Sequence, residues 1–384
     1  MVPKGWDVKK LEELALVERG KFSARPRNDP RFFGGKVPFV QTGDVSSSGT
    51  YLKAYSQTLN EDGVGVSRVF PSETILITIA ANIGDTAITC FDVACPDSIV
   101  AIQPNPTIAN VYWLKKLLET KKEDLDSKST QNAQKNINLQ VLKPLSLLTP
   151  PLPEQKKIAQ ILSTWDKAID TSEKLLANSR QQKKALMQQL LTGKKRLRDK
   201  NGVRFSGEWK KAPIKNLVEI VYGKSPKEVL SQNGKNPIYG TGGISGHAIE
   251  PLCTKTSVLI GRKGTIDKPI YIDRPFWAID TTFYCLPKQN THIKWFYYLV
   301  SMLGLKKYSE ASGVPSLSRE TLYSIKVFTP TSLEEQQKIA ATLSSADREI
   351  ETLQQKLDCL KQEKKALMQQ LLTGKRRVQV ENAQ

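Results

Sequence analysis

The fold of this chain is decided by a stretch of sequence that occurs twice. Residues 154–194 read EQKKIAQILSTWDKAIDTSEKLLANSRQQKKALMQQLLTGK, and residues 335–375 read EQQKIAATLSSADREIETLQQKLDCLKQEKKALMQQLLTGK. The two stretches align without a gap at an offset of 181, and residues 183–194 recur unchanged as residues 364–375. Self-similarity at a fixed period is the signature of an internal repeat. The sequence therefore predicts a duplication of one globular segment followed by one helical segment.

Apolar residues in both helical copies recur in alternating steps of four and three. A sustained period of 3.5 residues is typical of a narrow seam that a coiled coil buries. Gly193 and Gly374 follow the last seam residues, as helix C-terminal stop signals do. The predicted seam consists of Ile158, Leu162, Trp165, Ile169, Leu176, Leu186 and Leu190 in the first copy, and of Ile339, Leu343, Ile350, Leu353, Leu357, Leu360, Leu367 and Leu371 in the second.

We predict that the two helices pair with each other, antiparallel and within one chain. A helix from Glu154 to Leu191 would be roughly 57 Å long at about 1.5 Å per residue. That length lies between one and two turns of B-DNA, which measure about 34 Å each. Antiparallel pairing would place the two globular copies at opposite ends of a rod, related by an approximate two-fold axis.

The globular copies repeat more faintly. Trp6 matches Trp209 at an offset of 203, whereas Ile75 matches Val258 at an offset of 183. The first copy therefore carries a net insertion of about 20 residues between Lys21 and Ile75. Because insertions concentrate in surface loops, this stretch is expected to carry a specificity of its own.

Short strand-like runs, turns and one or two helices alternate in each globular copy. The predicted strands are 37–40, 74–79, 98–102, 257–260 and 270–272, the predicted helices 112–118 and 293–303, and the predicted tight turns 34–35, 42–44 and 240–243. The predicted fold class is α+β: two globular α/β-mixed domains separated by two long helices, with a pseudo-two-fold internal repeat. The predicted boundaries are 1–150 and 200–331 for the domains, 151–199 and 332–378 for the helical regions, and 379–384 for a tail.

The charge of the chain favours a polyanionic partner such as nucleic acid. Lys and Arg number 57 against 38 Asp and Glu, which gives a net charge of +19. Most of the excess lies in residues 151–200, with +7, and in residues 201–331, with +9. No apolar run approaches the 18 residues of a membrane span, and the N-terminus lacks the apolar core of a secretory signal, so we expect a cytoplasmic protein that binds no membrane.

Few residues are available for catalysis or metal binding. The chain has two histidines outside any ligand spacing, and its five cysteines include no Cys-x-x-Cys pair. Gly223-Lys224-Ser225 resembles the end of a phosphate-binding loop, but Val218 replaces the required first glycine. We predict no catalytic residue, no metal site and reduced structural thiols.

Candidate DNA-reading residues lie in polar and glycine-containing loops. Glycine lets the backbone approach a duplex closely, while Arg, Lys and Gln suit contacts with base edges in the major groove. The alternative is that the glycine runs are only tight turns. The candidates are Lys21, Arg25, Arg27, Arg31, Gln41 and Thr42 in the first copy, and Lys224, Lys227, Thr241, Gly242, Gly243, Ser245, Arg262 and Lys263 in the second.

The chain as a whole resembles the DNA specificity subunit of Type I restriction-modification systems. The resemblance rests on the near-identical helices, on PLPEQKKIA at 151–159 and LEEQQKIA at 333–340, and on YGTGG at 239–243 and IGRKG at 260–264. The first copy departs from the last two motifs, with QTGD at 41–44 and AANIG at 80–84.

This resemblance implies a non-catalytic reader of a bipartite, asymmetric DNA sequence. Each globular copy would be a target-recognition domain for one half of the target, and the coiled coil would fix the gap between the halves. Partners would be double-stranded DNA, two modification (methyltransferase) subunits that methylate adenine, and ATP-dependent restriction subunits. The chain itself would bind no cofactor; S-adenosylmethionine, ATP and Mg would belong to the partner subunits.

Two other classes of protein remain open. A coiled-coil scaffold protein with incidental basic charge would bind no DNA sequence specifically. A nuclease or methyltransferase in its own right would turn over substrate as an isolated chain, which the missing motifs argue against.

Overall fold

The computed structural model describes residues 2–127 and 136–380, so the last four residues of the predicted tail, 381–384, lie outside it. The chain divides into two compact units. Unit 1 contains Met1–Ser172 and Lys356–Gln384, and unit 2 contains Glu173–Gln355. Two long helices, α7 (Leu152–Leu190) and α10 (Leu333–Leu372), each contribute residues to both units.

The globular part of unit 1 holds short strands and short helices. Its strands are β1 (Asp7–Lys10), β2 (Ala15–Arg19), β3 (Phe33–Phe39), β4 (Tyr51–Leu52), β5 (Gln57–Leu59), β6 (Val69–Phe70), β7 (Ile75–Thr78), β8 (Thr86–Thr89), β9 (Val93–Ala94), β10 (Ile99–Pro104) and β11 (Ser146–Thr149). Its helices are α1 (Leu11–Leu14), α2 (Thr42–Ser47), α3 (Glu61–Gly65), α4 (Val111–Glu119), α5 (Lys122–Ser127) and α6 (Leu139–Leu142).

These strands form three sheets in unit 1. One has the order β2-β10-β7-β8-β4, another β5-β3-β9-β6, and β1 pairs with β11 alone. The strand β7 is buried at every position because its apolar run ILIT is covered on both faces. Helix α4 begins where the Asn110 side chain accepts a hydrogen bond from the Trp113 amide, and it buries Trp113 and Leu117 in the main core.

Unit 2 repeats this plan with fewer elements. Its strands are β12 (Trp209–Pro213), β13 (Val218–Tyr222), β14 (Asn236–Gly240), β15 (Gly243–Ala248), β16 (Ser257–Gly261), β17 (Ile270–Ile272), β18 (Trp277–Ala278), β19 (Thr282–Pro287) and β20 (Lys326–Pro330), and its short helices are α8 (Ile293–Met302) and α9 (Arg319–Ser324). The sheets have the orders β13-β19-β16-β17, β15-β14-β18 and β12-β20. The elements without a counterpart in unit 2 include α2, β4 and α3, which all lie in the stretch where the insertion was predicted.

The predicted strands at 74–79, 98–102, 257–260 and 270–272 and both predicted short helices are confirmed to within two residues at each end. Two predicted turns are wrong. Gly34 and Gly35 lie inside β3, at an irregularity where its pairing with β5 shifts register. The segment Thr42-Gly43-Asp44 opens helix α2, because the Asp44 carboxylate accepts a hydrogen bond from the Gln41 amide, 2.8 Å away, and caps the first turn.

The seam predicted for the long helices is protected from solvent. None of its fifteen residues is classed as exposed, whereas neighbours such as Leu175 are half exposed. Both helices end as predicted, with Gly193 and Gly374 in the left-handed region at φ 72° and 70°. A Cβ on either glycine would meet a tryptophan of the adjoining domain, Trp209 at 3.0 Å or Trp6 at 3.4 Å, so the glycines also permit close packing.

An arginine beyond the end of each long helix binds a glutamate at the start of the other. In unit 1, Arg377 donates to both carboxylate oxygens of Glu154 at 2.8 Å, and its guanidinium lies 5.7 Å from the Trp6 ring. We call Glu154, Arg377 and Trp6 the first end contact. The Trp6 Nε1 also donates to Glu154 Oε2 at 3.0 Å, so this carboxylate, 4% exposed, is fully engaged.

Unit 2 repeats the arrangement as the second end contact, made of Glu335, Arg196 and Trp209. Arg196 donates to the two carboxylate oxygens of Glu335 at 2.5 and 2.8 Å, and its guanidinium lies 5.8 Å from the Trp209 ring. Among the described residues, the Trp209 Nε1 is buried without a hydrogen-bond partner. The two end contacts thus differ by one indole hydrogen bond.

The glutamine that follows each of these glutamates fastens the domain to its helix. Gln155 accepts from the Asn110 amide at 2.9 Å and donates to the carbonyls of Ile108 and Pro150, also at 2.9 Å. Gln336 repeats the first of these contacts with the His292 amide at 2.8 Å. The repeated Glu-Gln pair therefore has a physical role in each unit.

A second carboxylate links the helices deeper in each unit. Asp166 of α7 forms an ion pair with Lys364 of α10, and Asp347 of α10 forms one with Lys183 of α7. Burial raises the pKa of Asp166, but the Lys116 ammonium and the hydrogen bond from Lys364 outweigh it and hold that pKa well below its usual range.

Replacing Glu335 with alanine tests the second end contact. Because the change leaves the partly buried Arg196 guanidinium without its carboxylate, Glu335→Ala should lower the free energy of unfolding of unit 2 by about 3 kcal/mol. The exposed neighbour provides the control, since Glu334→Ala should change stability by no more than about 0.5 kcal/mol. Urea unfolding of the full chain measures both, and equal effects would contradict the assignment.

Candidate nucleic-acid interface

Two of the predicted glycine loops of unit 2 lie side by side. Strands β14 and β15 form a hairpin in which Gly240 pairs with Gly243, so Thr241 and Gly242 occupy the tip and the predicted turn is confirmed. Gly243 has φ 118°, which favours glycine. The Thr241 hydroxyl lies 3.5 Å from the point where a Cβ on Gly264 would stand. The hairpin tip and the turn after β16 therefore form one continuous surface.

The turn after β16 is held by hydrogen bonds of its backbone. The amides of Arg262 and Lys263 both donate to the Thr281 carbonyl, and the Arg262 carbonyl accepts from the Leu317 amide. Lys263 is exposed. The Arg262 guanidinium lies 5.4 Å from the centroid of the Tyr222 ring and also donates to the Asp280 carbonyl.

The remaining candidates of unit 2 surround this surface. Lys224 and Lys227 are exposed, and the Lys224 carbonyl accepts from the Trp277 indole at 2.9 Å. Ser245 lies on β15, where its hydroxyl donates to the Ile238 carbonyl at 3.4 Å.

In unit 1 the predicted basic string is largely engaged by the protein itself. Arg27 forms an ion pair with Asp97 at 2.9 Å, and Arg31 forms one with Asp29 at 3.0 Å. Arg25 donates to the Ala24 carbonyl at 2.7 Å. These side chains are exposed, as is Lys21, and the charges of Arg27 and Arg31 are partly neutralised at short range.

Gln41 and Thr42 lie at the start of helix α2. Gln41 is the residue before its first turn and donates from its side chain to Gln57 Oε1 at 3.1 Å, while Thr42 is the first helical residue. Both are partly exposed. Asn82 contacts the same helix, since its side chain donates to the Ser46 hydroxyl at 3.3 Å.

The pairing of the strands shows that the candidate loops occupy matching places in the two units. Phe39 of β3 pairs in parallel with Ala94, and Ile238 of β14 pairs in parallel with Trp277. Ala94 matches Trp277 at the offset of 183 seen elsewhere, so their strand partners Phe39 and Ile238 also correspond. Thr42 and Thr241, each three residues further along the chain, therefore match. One unit places a helix at this point and the other a hairpin.

Gly20 and Gly223 make the same close approach in the two units. A Cβ on Gly20 would lie 2.3 Å from the Pro96 carbonyl oxygen, and one on Gly223 would lie 2.0 Å from that of Ile279. Their amides donate to the carbonyls of Ile99 and Thr282. These glycines hold the strand ends that lead into the candidate loops.

Tyr222 and Arg319 belong to the same surface but were missed in the sequence. The Arg319 guanidinium lies 5.0 Å from the Tyr222 ring, on which Arg262 also packs. Arg319 is the first residue of α9 and stands far from Tyr222 in the chain, so no local pattern connects them. The one available signal was the net charge of +9 over residues 201–331.

The described residues contain no group of three or more His, Cys, Asp or Glu side chains that could hold a metal ion. All five cysteines are free, and burial raises the pKa of the Cys95 thiol to about 12. Over residues 2–127 and 136–380, none of the helices has the length and apolar character needed to cross a bilayer.

The sequence matches the family model described as Type I restriction modification DNA specificity domain twice, over residues 3–178 and 206–362. The chain belongs to this family. The resemblance inferred from the motifs is therefore confirmed: the protein is a specificity subunit of a type I restriction-modification system, and it is not an enzyme but a non-catalytic subunit. The coiled-coil scaffold without sequence-specific DNA binding is not favoured.

Two relatives and one solved structure match most of the chain. The putative type I restriction enzyme MjaX specificity subunit of Methanocaldococcus jannaschii is 26% identical over 98% of this chain and 95% of its own length. The EcoprrI specificity subunit of Escherichia coli is 22% identical over 82% of this chain and 80% of its own. The S subunit of a Type-I restriction-modification system from M. genitalium has a TM-score of 0.67 at 17% identity, covering 97% of this chain and 96% of that one, and so shares the fold.

The close approach of Gly223 provides a test of how the specificity subunit holds its candidate loops. A methyl group at this position would overlap the Ile279 carbonyl, so Gly223→Ala should destabilise unit 2 by about 2 kcal/mol or more. Gly242→Ala is the control, because no atom lies within 4 Å of its added Cβ, and stability should change by less than about 0.5 kcal/mol. Thermal unfolding of the full chain compares the two, and a neutral Gly223→Ala would show that the close approach is absent.

Proposed function

We propose that this specificity subunit binds a bipartite, asymmetric duplex target through two target-recognition domains, 1–150 and 200–331. Helical regions 151–199 and 332–378 pair as an antiparallel intramolecular coiled coil and set the distance between the half-sites. Each domain reads its half-site with the loops that follow its matching strands. In unit 2 these are the hairpin tip and the turn after β16, and in unit 1 the start of α2.

The observation that carries this proposal is the reciprocity of the helix contacts. Glu154 binds Arg377, and at the repeat offset of 181 Glu335 binds Arg196, so the roles of the two helices are exchanged. The ion pairs of Asp166 and Asp347 exchange in the same way. Each of these contacts joins the start of one long helix to the end of the other within a single unit. They therefore support antiparallel pairing of the two helices in each unit.

Charge and loop chemistry support duplex DNA as the ligand. Residues 201–331 carry a net charge of +9, and the second recognition domain brings glycine backbone, hydroxyl and cationic groups to one surface. Phosphate contacts supply orientation and affinity, while side chains at base edges supply specificity. The family described above names DNA specificity, and this surface has the chemistry for it.

The proposed partners follow from the type I family. We propose that two modification (methyltransferase) subunits and ATP-dependent restriction subunits assemble on this chain in the cytoplasm. S-adenosylmethionine, ATP and Mg would act in those subunits. A methyltransferase must extract its target base from the stack, so a subunit that grips the flanking DNA provides the register for that step.

Lengthening both helices together tests the spacing. Duplicating the heptads 170–176 and 351–357 in one chain preserves the seam and adds about 10 Å at about 1.5 Å per residue. At a rise of about 3.4 Å per base pair the gap between half-sites should grow by about three base pairs, with both half-sites unchanged. Selection of bound duplexes from a random library measures the gap. A seven-residue insertion after the exposed Gly202 is the control, and an unchanged gap in a folded, DNA-binding double duplication would refute the coiled-coil spacer.

The matching threonines test which domain reads which half. Thr241→Ala should relax base preference in one half-site only, and Thr42→Ala in the other half-site only. The loss of one base contact should reduce discrimination by about tenfold at the affected position. The same library selection reads both variants, and each serves as the control for the other. Equal loss in both half-sites, or no loss in either, would contradict the assignment of these loops.

A further inference from the structure

Two arginines of the second recognition domain share one tyrosine. The guanidinium carbons of Arg262 and Arg319 lie 5.4 and 5.0 Å from the centroid of the Tyr222 ring, which is 38% exposed. The Tyr222 ring is itself held by an edge contact with buried Phe283, with ring centroids 5.0 Å apart. Because both guanidinium groups pack on a fixed ring, their planes are pre-organised and little side-chain entropy is lost when they bind a ligand.

The charges of this cluster are poorly compensated within the domain. Arg262 donates to a carbonyl, that of Asp280, at 3.3 Å. The Arg319 Nε lies 3.5 Å from the carboxylate of Glu320, but the geometry makes no hydrogen bond, and the Nε has no other partner among the described residues. Arg319 also begins helix α9, where a positive charge opposes the helix dipole. Two cations that pack on one ring in such surroundings suit an anionic ligand better than they suit the stability of the domain.

The first recognition domain has no such cluster at the matching places. The Ile79 carbonyl accepts from the Ile137 amide, just before α6, and the Arg262 carbonyl accepts from the Leu317 amide, just before α9. Ile79 therefore corresponds to Arg262. Leu139, the first residue of α6, likewise corresponds to Arg319, the first residue of α9. Ile79 is buried in the main core of unit 1, and Leu139 packs against that core.

The place of Tyr222 in the first domain is taken by Arg19, because both pair with matching positions of the neighbouring strand, Val100 and Phe283. The Arg19 Nε donates to the Asp97 carbonyl at 2.5 Å. The cationic cluster is therefore a property of the second domain within the described part of the chain.

We propose that Arg262 and Arg319, held over Tyr222, form a pair that binds the phosphate backbone of duplex DNA. Through this pair the second recognition domain supplies a larger share of the salt-dependent affinity than the first. The inference rests on the proposed function, because it assumes that this surface faces DNA. It adds that Arg262, a candidate reading residue, acts with Arg319 on phosphate rather than on a base edge.

The salt dependence of binding tests the pair. Each phosphate contact contributes a slope of about −0.9 to the plot of log K against log salt concentration. In the complex as it purifies with its partner subunits, Arg262→Ala/Arg319→Ala should make this slope shallower by about 1.8. Affinities for the target duplex and for a random-sequence 30-base-pair duplex should fall by a similar factor, with base preference unchanged in library selection.

Two matched variants separate this role from general charge and from misfolding. Lys210→Ala/Lys211→Ala removes the same charge from exposed positions on β12 and should leave the slope within about 0.5 of the unmodified value. Arg262→Lys/Arg319→Lys keeps the charge and should recover most of the slope, since a lysine also binds phosphate as a point charge. Thermal unfolding establishes that each variant is folded.

The possible results distinguish failure of the phosphate pair from failure of the proposed function. An unchanged slope in a folded Arg262→Ala/Arg319→Ala variant that still prefers the target overturns the phosphate pair and leaves the proposed function standing. Loss of one base preference without a change of slope also overturns it, because the arginines would then read a base. If the unmodified complex prefers no duplex over any other, the proposed function itself fails.

Discussion

The buried carboxylate at the start of each long helix is the constraint on which the rest of the structure depends. Glu154 and Glu335 are 4% and 1% exposed, and a carboxylate so far from water is tolerated only when it is paired and hydrogen-bonded. In each unit the partner is an arginine that follows the other long helix, packed on a tryptophan of the domain. One interaction thus joins a domain, the start of its own helix and the end of the other helix. The junction thus fixes each domain on the helices that carry it.

Both units contain this junction, but they differ in the loops of their globular domains. Three features recur in both units: matching pairs of strands, the close approaches of Gly20 and Gly223, and the buried Gln155 and Gln336. The segment after the first matching strand differs, because it is a helix after Phe39 in unit 1 and a hairpin in unit 2. The added elements of unit 1 lie in the same stretch. A common frame with different loops is what two readers of unlike DNA sequences require.

Much of this could be predicted from the sequence because it is periodic or local. The repeat is periodic at an offset of 181, and the glycine helix ends and the hairpin at 240–243 depend on patterns within a few residues of chain. The start of α2 could not be predicted, because Asp44 closes back on the Gln41 amide where Gly43 suggests a turn. The pairing of Arg27 with Asp97, seventy residues away, and the approach of Arg319 to Tyr222 depend on tertiary structure, which a single sequence does not display.

The indole of Trp209 gives the two end contacts unequal strength. The Trp6 Nε1 donates to Glu154, but the Trp209 Nε1 is buried without a partner among the described residues. An unsatisfied buried donor costs about 1–3 kcal/mol. On this difference alone we expect the second junction to open at lower free energy, so amide hydrogen exchange should begin near Arg196 and Trp209 before it reaches the first junction. In an otherwise duplicated architecture, one indole hydrogen bond would then set the order in which the two halves loosen.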